Sequence, residues 1–231
     1  MGKIKSPIRG DVGPGINNSA GQLSSQLVYA QSHSNMNQSE SEFADETTLE
    51  EIKAAAEKYK NVNVALAEGY IPEPMNMCER AENMGRPAEE GAMGIHYFRP
   101  DLLQITATAP RVDGTGMHTD FLQPAVLLYE PQQDGSMELV AVENLVFTRA
   151  WHEAGNEAPP SFHGIPYDHM IDDPDTEIDE AHMFEEHYDR HVWVFRENPS
   201  GVFEPFNPNV TCKHHKEHTT MDMDMDMDDM H

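Results

Sequence analysis

Positive charge is scarce in this chain. Fifteen lysines and arginines stand against 41 aspartates and glutamates, a formal net charge of −26. A field of that sign repels phosphate backbones and anionic lipid surfaces and attracts cations, so nucleic acid is a poor partner and metal ions a good one. Long apolar runs are missing as well: none approaches the roughly 20 residues needed to span a bilayer, and no membrane insertion is expected. There is no Gly-rich phosphate loop, no G-x-S-x-G elbow, no H-E-x-x-H and no C-x-x-C-H, which removes the commonest nucleotide, hydrolase, zinc-protease and haem signatures. Cysteine is reduced to Cys78 and Cys212. Both sit in Pro- and Asn-rich surroundings rather than inside apolar strands, which favours a disulfide over two buried thiols. Such a bond would close a loop of well over 100 residues and contribute about 4–5 kcal/mol in the chain-entropy model. It would also imply an oxidising compartment.

What is present divides the chain into three. Residues 1–46 are rich in Ser, Asn, Gln and Gly and read as a disordered linker. Val28-Tyr29-Ala30 resembles a signal-peptidase site behind the basic Lys3, Lys5 and Arg9, but the apolar segment between them is absent, so linker and processed leader both stay open. Residues 47–213 read as a single α+β domain. Thr48-Leu49-Glu50-Glu51 has the form of a capping box, and Leu49, Ile52, Ala56, Tyr59 and Leu66 follow at helical spacing up to Gly69, which predicts one long N-terminal helix. The rest predicts a mostly antiparallel sheet: a strand over 92–98 with Gly94, His96 and Phe98 on one face and Met93, Ile95 and Tyr97 on the other, a hairpin of 124–130 and 137–147 turned at Asp134-Gly135, a strand over "HVWVFR" (191–196), and a short return over 202–206. Residues 214–231 form a second disordered tail.

Two groups of residues carry metal chemistry. In the tail, Met221, Met223, Met225 and Met227 alternate with aspartates and end on Met230 and His231, with His214, His215 and His218 just upstream. Thioethers select Cu(I), imidazoles serve Cu(II) and Zn(II), and carboxylates suit harder ions. An acidic tail accounts for the aspartates but not for five methionines in ten positions, so a copper ion is the expected cargo. Inside the domain, an extended 187–191 segment puts His187, Asp189 and His191 on one face, and His96 can join them across a sheet. The bland alternative is that these are ordinary half-core histidines beside a solvated acidic loop. No catalytic residue is assigned.

The segments "GAMGIHYFRPDLL", "PAVLLYEPQQDGSMELVAVENLV" and "HVWVFRENPSGVFEPFNPNVTC" resemble an uncharacterised family of small bacterial proteins with export signals. The resemblance runs from about residue 55 to 212, and its histidines and cysteines fall on His96, His191, Cys78 and Cys212. It implies the same fold, the Cys78–Cys212 pairing and a secreted or periplasmic location, and it implies no reaction. The tail is similar in composition to the Met/His/Asp-rich segments of periplasmic copper-resistance proteins. Together these point to an exported metal-binding protein, copper first, acting in sequestration or handover. The alternatives are a small-molecule-binding or metal-dependent enzymatic domain with a pocket at His96, His191 and Trp193, and an acidic structural surface protein.

Overall fold

The computed structural model describes residues 46–216. Its first element is capped as the sequence demands: Glu51 N donates to Thr48 Oγ1 at 3.3 Å, and Thr48 N donates to Glu51 Oε2 at 2.9 Å. The helix it starts is short. α1 (Leu49–Ala56) tightens into a 3₁₀ turn (Glu57–Lys60), and a second helix, α2 (Val62–Ala67), begins afresh behind Asn61. The single long helix expected over this stretch is therefore two. The Asn61 side chain accepts from the Asn63 backbone at 3.1 Å, and this new cap resets the chain direction that the apolar spacing alone would have carried through.

Seven strands form one antiparallel sheet in the order β1 (Ile71–Pro72), β3 (Ala92–Phe98), β6 (Val126–Pro131), β7 (Met137–Phe147), β11 (His187–Val192), β10 (Asp168–Met170), with β2 (Cys78–Arg80) also paired on β3. β4 (Ile105–Ala107) with β5 (Asp113–Gly114), and β8 (Ser161–Phe162) with β9 (Ile165–Pro166), make two small ladders of their own. Two further helices are short: α3 (Pro100–Leu103) and α4 (Thr148–Glu153). The β6–β7 hairpin turns at Asp134-Gly135 as its sequence requires, with Gly135 at φ +85°.

The last strand lies four residues earlier than "HVWVFR" predicts. β11 ends at Val192, and Phe195 N and Arg196 N both turn to the Val140 carbonyl, at 3.3 and 3.1 Å, where β7 is out of register with β6. The bulge bends the partner strand away, so branched residues with good strand propensity leave the ladder. Residues 202–206 form turns instead of a return strand. Met93 also leaves its expected face, because β2 and β3 slip register between Glu79 and Arg80.

One face of the sheet packs Ile95, Tyr97, Leu127, Tyr129, Val142 and Val146 against Ile52, Ala56, Tyr59 and Ala65 of the helical segment. Tyr129 ties the layers by donating its hydroxyl to the Tyr59 carbonyl at 2.6 Å. The other face holds two apolar clusters, one around Ala92, Leu128, Ala141, Trp193 and Phe206, the other around Phe98, Val126, Leu145, Phe147 and Phe184. Cys78 and Cys212 form a disulfide with Cα atoms 5.7 Å apart, stapling the start of β2 to the segment that follows Val210.

Gly94 is required where it stands. Its φ is +103°, and a Cβ there would lie 2.6 Å from the Tyr129 carbonyl oxygen. Gly94→Ala is expected to lower stability by about 3 kcal/mol, measured by urea unfolding, since both the backbone conformation and the space are denied to it. A loss below about 1 kcal/mol would mean that β3 and β6 move apart easily here.

Candidate metal centre

Between the two apolar clusters of the second face lies a polar one. The antiparallel register dictates it: residues opposite one another point to the same side, and Glu143 of β7 stands opposite His191 of β11. Glu143 is thus placed between Ala141 of one apolar cluster and Leu145 of the other. His187, Asp189 and His191 alternate along β11 on that side, and His96 reaches in from β3, two residues before Phe98. His96, His187, Asp189 and His191 thus share one side of the sheet, divided between two donor groups.

Two members were not foreseen as ligands. Glu143 is hidden in an apolar run, and His182 comes from the acidic loop that crosses the face. All six side chains are sealed, with relative exposures of 2% for His96 and His182 and 0% for Glu143, His187, Asp189 and His191. Phe184 covers them, its ring centroid 5.5–6.5 Å from those of His187, His182 and His96. Trp193 lies nearly parallel to His191 at 6.3 Å and closes another side.

The donors form two groups, His96–Glu143–His191 and His182–His187–Asp189, the ligand atoms within each lying no more than 4.8 Å apart. Glu143 Oε2 is 3.4 Å from His96 Nε2 and 3.5 Å from His191 Nε2. Asp189 Oδ2 is 3.8 Å from both His182 Nε2 and His187 Nε2. None of these contacts has the geometry of a hydrogen bond. The distances are close to the edge of a coordination tetrahedron, about 3.4 Å for metal–ligand bonds of about 2.1 Å. Both oxygens of Glu143, both of Asp189 and the Nε2 atoms of all four histidines lack a hydrogen-bond partner. Buried polar atoms in such number are rare, and buried carboxylates are held in proteins by a charge of the opposite sign.

His187 fixes the argument most sharply. Its Nδ1 donates to the Glu185 carbonyl at 2.8 Å, which leaves Nε2 as the ring atom turned toward Asp189, 3.8 Å away. A ligating histidine whose other ring nitrogen donates to a backbone carbonyl is the usual second tie in metal sites, and His187 is placed in that way.

Burial shapes the protonation of the cluster. It pushes His96 down to about 3 and lowers His191, so both imidazoles are neutral, as a metal ligand must be. Burial likewise raises Glu143. Burial opposes ionisation of Asp189, but His182 and His187 outweigh it and hold the carboxyl below its ordinary range. His182 shows the same balance from the other side: burial draws it down, and the Asp189, Glu79 and Glu143 carboxylates leave it raised.

The loop that delivers His182 is held under tension. His182 and Met183 are both in the left-handed region, at φ 37° and 70°, where residues with side chains are costly. Asp179 accepts from Ala181 N and Met183 N at 3.2 and 2.8 Å, and Arg111 grips Asp179, Asp172 and the Phe184 carbonyl at 2.8, 2.9 and 3.0 Å. Part of the acidic run thus serves to position His182 and Phe184.

The other expected ligands lie elsewhere. His214 and His215 are half-buried outside both groups, and His215 lines a cleft of about 280 Å³ with Met75, Met77 and Cys212. Two histidines outside the expected set also lie away from the cluster: His163 is 3.0 Å from the Thr47 carbonyl and His169 is 2.7 Å from Glu186. His218, Met221, Met223, Met225, Met227, Met230 and His231 fall outside the described residues. No helix among the described residues is long and apolar enough to cross a membrane. Comparison with family models, curated proteins and solved structures finds no match.

Proposed function

We propose that the protein is an exported metal-holding protein whose principal site is the sealed histidine–carboxylate cluster of the domain. One observation carries the reading: two buried, hydrogen-bond-free carboxyl groups face the unpartnered Nε2 atoms of four buried histidines. Nitrogen and oxygen donors suit Cu(II), Zn(II), Fe(II) or Mn(II), and thioethers suit Cu(I). The domain is accordingly the holder of a divalent ion, and the Met-Asp tail an auxiliary capture segment for monovalent copper. Sealed surroundings favour retention and handover over turnover of a substrate on the metal. The disulfide supports an oxidising, extracytoplasmic location.

Metal analysis of the full-length chain tests this, alongside a variant in which Met221, Met223, Met225, Met227 and Met230 are all leucine. Both are expected to retain a divalent transition metal through desalting, and the variant alone to lose Cu(I) capture. If the leucine variant loses the divalent ion too, the tail is the site and the domain is not. If neither protein retains an ion from solutions of Zn(II), Co(II) or Cu(II), the cluster is not a metal site.

A further inference from the structure

We infer that the cluster holds two divalent ions side by side, one in each triad; this rests on the metal-holding reading above and extends it. The six donors do not converge on one point. His187 and His191 are four residues apart on one strand, about 13 Å at about 3.3 Å per residue, so their backbones face different parts of the chamber. Each carboxylate engages its own pair of imidazoles: Glu143 is within 4.0 Å of His96 and His191, and Asp189 of His182 and His187, with no crossed pair among the described residues. An ion with bonds of about 2.1 Å takes donors no more than about 4.2 Å apart, and the carboxylate–imidazole pairs of each triad, at 3.4–3.8 Å, lie inside that limit.

The two positions adjoin. His96 from the first triad stacks on His182 from the second, with ring centroids 5.1 Å apart and planes 19° from parallel. Each triad has the same composition, two imidazoles and one carboxylate, and leaves coordination positions open for oxygen ligands.

Charge agrees with two cations. As metal ligands Glu143 and Asp189 bring two negative charges, and among the described residues no lysine or arginine lies within ion-pair distance of either. Glu79, 4% exposed, stands opposite Gly94 on β3 and so shares the His96 face, adding a third acidic group. The buried Arg190 sits between Asp189 and His191 on β11 and points the other way, donating to the Phe203 and Pro166 carbonyls.

The test is stoichiometry. Full-length protein stripped with chelator is loaded with Co(II), desalted and analysed for cobalt per chain. His182→Ala/His187→Ala and His96→Ala/His191→Ala variants are treated alike, each checked for a native circular dichroism spectrum. Two ions are expected in the wild type and one in each variant. One ion in the wild type overturns the two-ion proposal while leaving the metal-holding reading intact. None in the wild type overturns both. Two ions in the wild type and in both variants place them outside the cluster and also overturn both. The wild-type count stands even if a variant fails to fold.

Discussion

Glu143→Gln is expected to raise the melting temperature of the metal-free protein and to abolish the further rise that metal gives the wild type. In the metal-free wild type, Glu143 is a wholly buried carboxylate with both oxygens unpartnered. Exchanging it for a neutral isostere removes a desolvation cost that no hydrogen bond offsets, a gain of about 1–2 kcal/mol. For a chain of this size that corresponds to about 2–8 °C. Metal binding to the wild type works in the opposite direction. An ion at about 1,000 times its dissociation constant adds about 4 kcal/mol. The variant has lost a direct ligand and should bind more than about 100-fold more weakly, since even outer hydrogen-bond partners of such ligands are worth 10- to 100-fold. Thermal unfolding of both proteins with and without added ion reads all four states. If the substitution destabilises the metal-free form by several kcal/mol, Glu143 is a structural anchor and its burial has another explanation.

Opening the Cys78–Cys212 bond should cost about 5 kcal/mol. The bond closes a loop with a sequence separation of 134, and the chain-entropy relation rises with the logarithm of that length. Domains of this kind are stable by about 5–15 kcal/mol in total, so the reduced protein or a Cys78→Ser/Cys212→Ser variant should unfold at far lower denaturant. The bond also anchors β2, whose Glu79 faces the cluster, so reduction should speed metal release to a chelator. A loss under about 1 kcal/mol would mean that the packing of Val210 and Phe206 already fixes the segment around Cys212.

Where a local rule applied, the sequence could be followed closely. The Thr48–Glu51 box, the Asp134-Gly135 turn and the Ala92–Phe98 strand each depend on a few adjacent residues, and each is formed. Alternation along 187–191 was enough to align His187, Asp189 and His191, and His96 followed from its strand. The misses have non-local causes. The helix breaks because Asn61 offers a second cap, and "HVWVFR" leaves the sheet because of a bulge on a different strand. Glu143 lies in "VAVENLVF", where a charge in an otherwise apolar central strand was the available signal: only a buried partner makes such a residue tolerable. His182 had no periodic signal. It reaches the cluster through a strained loop held by Arg111, some 70 residues earlier in sequence.

The most direct measurement is X-ray absorption at the metal edge of the full-length protein loaded with less than one equivalent of Co(II) or Zn(II). The account predicts a nitrogen–oxygen shell at about 2.0–2.2 Å with the outer scattering of imidazole rings. A shell containing sulfur at about 2.3 Å, or one of oxygen alone without imidazole scattering, would contradict it.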